Sequence, residues 1–268
     1  MPPSRSRRRA PSAPDRRRAQ ARGSGQRLTD NSLLTFAHHA ENRMLYAEAL
    51  ATLRRRRSVE QLVPGWVEDL QGLVAEGDKA EAWRFARWLG HAAFRWLTFE
   101  PDERAAAPAW AFVEGRYGGA GTVEDAVRTA MANPWVHDAV LFDLGGFDDY
   151  LSRVAPSAAV ERCPLVRDWC AQPVRLLRCT GSAGRADRYA DEMGGAEFTV
   201  RRVGGPPVAR PGGLVLARPL PVPGDPAHIF LLSPVLLEPD LPIPTAADLD
   251  RAPAWLGWLG RCLGECAA

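Results

Sequence analysis

The spacing of apolar residues predicts helices through the first two thirds of the chain. From about Asn31, apolar and small residues recur at three- and four-residue steps, which is the period of one helix face. We predict that this first helix runs to four consecutive arginines at 54–57, where cations suit the negative end of the helix dipole. Ser58 and Gln61 form a capping-box pattern for a second helix, which Gly77 ends.

The same period continues beyond Gly77. Pro108 predicts a bend or a break in the fourth helix, because proline removes a backbone donor. Asn133 followed by Pro134 predicts the start of the sixth. The predicted helices after the second span about 79–99, 102–115, 122–133, 133–144, 147–154 and 165–171.

After Pro173 the pattern changes to short strand-like runs. Twelve of the 23 prolines lie between Pro206 and Pro253, and proline cannot donate a ladder hydrogen bond, so strands in this region must be short or at an edge. We expect a small antiparallel sheet or a partly open barrel, closed by a helix over about 246–266. The predicted strands are Val174–Thr180, Phe198–Val203, Leu214–Ala217 and His228–Leu232.

These elements predict an α+β protein with a helical N-terminal part, a small antiparallel β module and a C-terminal helix. A chain of 268 residues suits one large or two small domains. We predict a disordered tail over 1–27, a helical domain over 28–172, a proline-rich β module over 173–244 and a closing helix over 245–268.

Two short stretches carry a resemblance. Arg167–Pro173 (RDWCAQP) leads into the strands, and Gly213–Leu220 (GLVLARPL) contains a strand of an "ARL-P" type. This order, over about residues 133–240, is similar to a group of uncharacterised actinobacterial proteins with a helical front half and a small β module. The resemblance implies no activity and no functional residue.

Charge is divided unevenly along the chain. Residues 1–27 hold nine arginines and one aspartate, a net charge of +8 against −6 for the remainder. Their low apolar content predicts disorder, and their charge would attract an acidic partner or the phosphates of a nucleic acid. The arginines are not followed by an apolar segment, so we predict no secretion signal and no membrane span, and a cytoplasmic protein. A solubilising role without a partner remains an alternative.

The third predicted helix contains the main candidate binding site. At 100° per residue, Arg84, Arg87, His91 and Arg95 fall on one stripe, with Trp88 beside it. Arginines can bind phosphate or carboxylate groups with two hydrogen bonds, and a tryptophan face can stack on a base or a guanidinium. The alternative is the ordinary solvent face of a nearly buried helix, with neighbouring acids as counter-charges.

Acids near a glycine break form a second candidate. His137, Asp138, Asp143, Asp148 and Asp149 could hold a cation or act as acid and base. Asp148 and Asp149 also lie where acids favour the first turn of a helix, and this capping interpretation is preferred.

No other spacing predicts a catalytic or metal centre. His38 and Glu41 lack the partner motifs of metal-binding helix bundles, and Cys262 with Cys266 is one loose pair where zinc needs four ligands. We therefore predict no metal and no cofactor, and polar side chains that mostly coat the folded body and are not gathered into a reactive cluster.

These observations favour a non-catalytic cytoplasmic binding or adaptor protein with a protein partner. One alternative is a sequence-nonspecific nucleic-acid-associated protein that uses the arginine tail. Another is an enzyme with a site between the two domains, which a pocket lined by Asp138, Asp143 or His137 would favour.

Overall fold

A computed structural model describes residues 32–55, 65–203, 206–250 and 252–265, and it confirms the α+β class. In the described residues, helices come first, up to residue 171, strands follow from residue 175, and a helix closes the fold. The helices are α1 (32–41), α2 (Tyr46–Leu53), α3 (Trp66–Glu76), α4 (Ala82–Phe99), α5 (Ala106–Tyr117), α6 (Val123–Ala132), α7 (Pro134–Asp138, continued by a π-helical turn, Ala139–Asp143), α8 (Gly146–Arg153), α9 (Ser157–Arg162), α10 (Ala246–Leu249) and α11 (Ala252–Glu265). Three 3₁₀ segments span Gly77–Lys79, Glu103–Ala105 and Pro164–Ala171.

Seven strands form one sheet in the order β5-β6-β3-β2-β1-β4-β7. The pairs are antiparallel except for a single parallel pair between β3 and β6, at Val200 and His228. The prediction of an antiparallel module therefore holds for all but this one contact. The strands are β1 (Arg175–Ala183), β2 (Ala186–Asp191), β3 (Glu197–Arg201), β4 (Leu214–Ala217), β5 (Leu220–Pro221), β6 (His228–Ile229) and β7 (Val235–Leu237).

One face of the sheet packs against the helices. Leu176 of β1 and Leu216 of β4 belong to the same buried cluster as the helical core, whereas their neighbours Leu177 and Val215 point to a second, smaller core on the opposite face. This alternation is the period of two expected of a strand that is buried on both faces. The helical layer and the sheet therefore share one continuous core.

The first predicted helix is broken in two. Residues 42–45 form a turn between α1 and α2, and Met44 has a φ of 59°, in the left-handed region. The small-residue periodicity continues across this turn, so the apolar pattern alone did not locate it. The turn follows Glu41, whose side chain is fully buried.

Close contact between α5 and α11 fixes the C-terminal helix. A Cβ on Gly115 would overlap the carbonyl oxygen of Gly257, and a Cβ on Gly260 would overlap that of Phe112. The two backbones therefore touch at Gly115 and Gly260, where no larger residue fits.

Several predicted features lie outside the described residues. These are the arginine tail, 1–27, the capping box at 58–61 and the last two of the four arginines at 54–57. Within the described residues, no helix combines the length and the apolar character that crossing a membrane requires.

Candidate functional site

The predicted stripe on α4 is turned toward anionic side chains of the protein itself. Trp88 is 0% exposed and Arg95 is 2% exposed, and both donate hydrogen bonds to Glu41 of α1. Both groups are closed to a partner, and the expectation of a solvent-facing stripe is wrong for this half of it. The physical reason is that Glu41, which precedes the turn, lies inside the fold and neutralises Arg95.

The other half of the stripe is paired at the edge of the same layer. Asp69 of α3 forms an ion pair with Arg87, whose Nη1 lies 2.9 Å away, and it lies 2.5 Å from His91 Nδ1. Arg84 Nη2 lies 2.6 Å from Glu76. The stripe therefore carries little uncompensated charge of its own.

Glu41 is the centre of a buried polar cluster. Its two oxygens accept from Arg95 Nε at 3.0 Å and Nη2 at 2.7 Å, and the indole N–H groups of Trp66 and Trp88 donate to Oε2 at 2.9 and 3.0 Å. The side chain of His38, in the preceding turn of α1, lies 3.3 Å from Oε1. This cluster brings ionisable groups of α1 and α4 together inside the fold, whereas the sequence predicted that polar side chains mostly coat the surface.

Electrostatics keep Glu41 ionised in this dry environment. Burial alone would raise the pKa of its carboxyl, but the Arg95 guanidinium and the His38 side chain together hold that pKa below its usual range. Burial raises the pKa of the Tyr46 and Tyr150 hydroxyls. Both hydroxyls are buried and make no hydrogen bond within the described residues. His38 and Glu41 are therefore a structural hydrogen-bonded pair, and no group of three metal-ligating side chains forms within the described residues.

A cleft lined by arginines opens where the start of α4 meets the sheet. Its volume is about 370 Å³. One wall is Trp83 and Arg84 of α4 with Glu68 of α3, and the other is formed by the β1–β2 turn and the end of β3. The cleft is lined by Glu68, Trp83, Arg84, Gly184, Arg185, Arg201, Arg202 and Val203.

Trp83 holds two of these arginines in place. The guanidinium carbons of Arg84 and Arg201 lie 4.7 and 4.8 Å from the Trp83 ring centroid, which is cation–π contact. The indole N–H donates to Glu81 at 2.6 Å and fixes the ring. Four arginines line this cleft, and two of them stack on one ring, which makes a preorganised cationic surface.

The arginines of this cleft differ in their partners. Arg84 and Arg202 pair with Glu76 and Asp187, at 2.6 and 3.0 Å. Arg201 donates to the carbonyl oxygen of Asp225 at 2.9 Å and forms no ion pair with a described residue, and the exposed Arg185 forms none either. Arg185 and Arg201 therefore bring two positive charges that no described carboxylate balances.

Asp138 and Asp143 meet at one arginine from the other half of the chain. Arg218, two residues beyond Leu216 of β4, lies 2.8 Å from Asp138 and 2.9 Å from Asp143 and also donates to the carbonyl oxygen of Gln172. Residues five apart fall roughly 140° apart around an α-helix, but they lie closer to one face in a π-turn, whose hydrogen bonds join residues i and i+5. The π-helical turn therefore brings both carboxylates to the same guanidinium.

Burial and the neighbouring Asp143 both act to raise the pKa of the Asp138 carboxyl. Burial raises the pKa of Asp138 to about 6, since the Arg218 guanidinium only partly offsets it and Asp143 adds to the rise. Asp143 lines a cleft of about 380 Å³, whereas His137 lines a different one. The three residues of the enzyme alternative thus do not share a single pocket among those described.

Asp148 and Asp149 lie in the first turn of α8, as the capping interpretation predicts. Asp149 also accepts from Arg104 at 2.8 Å.

Sequence reasoning missed the residues that decide this geometry. Glu41 was weighed only as a metal ligand, and Asp69, Arg201 and Arg218 were not considered as site residues. One signal was present, because an arginine such as Arg95 on a helix that is apolar around most of its circumference requires a carboxylate partner once that helix is buried.

Comparisons with protein families, curated proteins and solved structures find no match, so the resemblance to actinobacterial proteins stays a prediction.

Proposed function

We propose that this protein is a non-catalytic binding protein of the cytoplasm that docks an acidic segment of a protein partner in the arginine cleft. The observation that carries the proposal is the pair of uncompensated cations, Arg185 and Arg201, in a cleft that two further arginines line. The arginine tail, 1–27, adds long-range attraction to the same acidic partner.

Charge complementarity favours a carboxylate-rich ligand. The cleft has four arginines and one acid, Glu68, whose carboxylate is largely exposed and lies 3.3 Å from Arg87. Arg201 has a neutral carbonyl oxygen as its acceptor, and the exposed Arg185 forms no ion pair with a described residue. An incoming carboxylate would give both of these guanidinium groups a charged acceptor.

Preorganisation favours binding at low entropic cost. Arg84 and Arg201 are stacked on Trp83, and Arg202 is held by Asp187 and by the hydroxyl of Ser182 at 2.6 Å. Side chains that are already ordered lose less freedom when a ligand arrives.

The test is a titration of the full chain with a fluorescein-labelled peptide of twelve glutamates. We expect the double variant Arg185→Glu, Arg201→Gln to lower its affinity about tenfold, since two exposed charge pairs contribute about 1 kcal/mol or slightly more together. Arg167→Glu is the matched control. It changes an exposed arginine of the 164–171 segment that lines none of the cleft and forms no ion pair with a described residue. We expect it to change the affinity less than twofold.

Two results would contradict the proposal. One is an equal loss of affinity in the double variant and in Arg167→Glu, which would mean that binding depends only on the net charge of the protein. The other is tighter binding of a single-stranded DNA of the same length and charge, unaffected by the double variant and abolished by removal of residues 1–27. That outcome would favour the nucleic-acid alternative.

A further inference from the structure

A second cleft lies along α4, on a different set of residues from the arginine cleft. It has a volume of about 670 Å³. Successive turns of α4, the junction of α6 with α7 and the segment between β6 and β7 form its three walls. This volume lies within the range of small-molecule sites in proteins.

The lining of this cleft is mostly apolar and its charges are already balanced. Phe94, Trp135 and Leu231 contribute the broad surfaces. Arg95 and His91 also line it, but each is paired with a carboxylate, Arg95 with Glu41 and His91 with Asp69. A ligand with a net charge would find no counter-charge here, so the lining suits a neutral molecule.

His137 supplies one directed polar group. Its Nε2 lies 3.0 Å from the carbonyl oxygen of Ala130, and a carbonyl only accepts, so Nε2 carries the proton. Burial lowers the pKa of His137, which keeps the ring neutral at pH 7. Its Nδ1 is then an acceptor, and it makes no hydrogen bond within the described residues.

The wall formed by Leu231 is held in place by contacts with α4. A Cβ on Gly90 of α4 would overlap the Leu231 side chain, so this glycine lets the leucine seat directly on the helix. His91 Nε2 lies 3.3 Å from the Leu231 carbonyl oxygen, while its Nδ1 faces Asp69. The β6–β7 segment is therefore fixed over the cleft before any ligand arrives.

From these observations we infer that this cleft binds a neutral, largely apolar small molecule with a hydroxyl group, and that the hydroxyl donates to His137 Nδ1. The aromatic and aliphatic walls bury the body of the ligand, and the His137 acceptor orients it. The site shares no lining residue with the arginine cleft, so this inference does not depend on the proposed function.

The test uses 2-naphthol and 2-methoxynaphthalene, two probes of one shape that differ in the hydroxyl donor. Calorimetric titration of the full chain is expected to give one 2-naphthol site per chain, and about tenfold weaker binding of the methoxy compound, because a single hydrogen bond is lost.

Two variants assign the binding to this cleft. His137→Phe keeps the ring and removes the acceptor, so we expect it to weaken 2-naphthol about tenfold and to leave 2-methoxynaphthalene unchanged. Ala132→Trp places an indole at the exposed rim of the cleft and is expected to abolish binding of both probes. Arg167→Glu, remote from the cleft, is expected to change neither.

Equal affinity for the two probes would overturn the inference, and so would undiminished binding to Ala132→Trp. If His137→Phe does not fold, as judged by far-UV circular dichroism, the comparison of probes and the Ala132→Trp variant still decide the question. His137→Gln provides a further check, because its amide can both donate to Ala130 and accept from the ligand. Selective loss of 2-naphthol in His137→Phe with retention in His137→Gln supports the inference.

Discussion

At the scale of single residues, Glu41 decides how the helices meet. It accepts hydrogen bonds from Trp66 of α3 and from Trp88 and Arg95 of α4, although it belongs to α1. The sequence predicts that Trp88 and Arg95 lie close together on one helix. It does not reveal that they face inward, because their partner is a glutamate some 50 residues away in a helix with an ordinary amphipathic pattern.

We predict that Glu41→Gln lowers the free energy of unfolding by about 3 kcal/mol. The amide keeps the shape of the side chain but leaves the Arg95 charge buried without a counter-charge. Urea unfolding at pH 7 measures the loss. Glu48→Gln, an exposed glutamate of α2, is the matched control and is expected to change stability by less than about 0.5 kcal/mol. Equal effects of the two changes would contradict the role given to Glu41.

At the scale of elements, α5 and α11 are held by backbone contact through glycines. Gly260 meets the Phe112 carbonyl, whereas Gly257, three residues earlier on the same helix, has room for a methyl group 3.4 Å from the Ala111 carbonyl oxygen. The two positions share a helix and a residue type, and they differ in the space beside them.

We therefore predict opposite effects of alanine at these two positions. Gly260→Ala forces the helices apart and is expected to destabilise the protein by about 2 kcal/mol. Gly257→Ala is expected to be neutral or to stabilise it by up to about 1 kcal/mol, since alanine favours a helix interior over glycine. Thermal unfolding followed at 222 nm compares the two. An equal loss of stability in both variants would contradict the role of Gly260 in the contact between the two helices.

Local sequence signals located most elements and missed those set by tertiary contacts. The glycine stop at Gly77, the Asn133 cap and the strand over Leu214–Ala217 are local patterns, and all three occur as predicted. The turn at Met44 and the π-turn after Asp138 are adjacent to side chains that pair with distant parts of the fold. The helical spacing of apolar residues does not indicate either turn. Strand β2 was missed because Ala186–Asp191 alternates polar residues with only a few apolar ones.

At the scale of the whole molecule, helices and sheet are joined by a buried ion pair as well as by a common core. Arg218 follows β4, and Asp138 belongs to α7; both are less than 5% exposed. The folded protein holds the proton of Asp138 more tightly than the unfolded chain does, since its pKa is about 6 against an ordinary 3.8. The resulting stabilisation is full below about pH 4 and is lost as the pH rises through about 6.

We predict that the pH dependence of stability changes in Asp138→Asn, which has no such proton. Between about pH 5 and 7 the wild-type protein is expected to lose roughly 1 kcal/mol more of its free energy of unfolding than the variant does. Urea unfolding at both pH values gives the difference. Asp168→Asn, an exposed aspartate, is expected to keep the wild-type dependence. Identical slopes in wild type and Asp138→Asn would contradict the raised pKa.

The π-turn also fixes a spacing that evolution could not alter freely. Insertion or deletion of one residue between Asp138 and Asp143 would rotate one carboxylate away from Arg218 and break one of the two ion pairs of that arginine. A divergent relative would therefore retain two acids five positions apart and an arginine about 80 positions after the first. These three positions form a recognisable signature for distant homologues, even where the rest of the chain has lost its likeness.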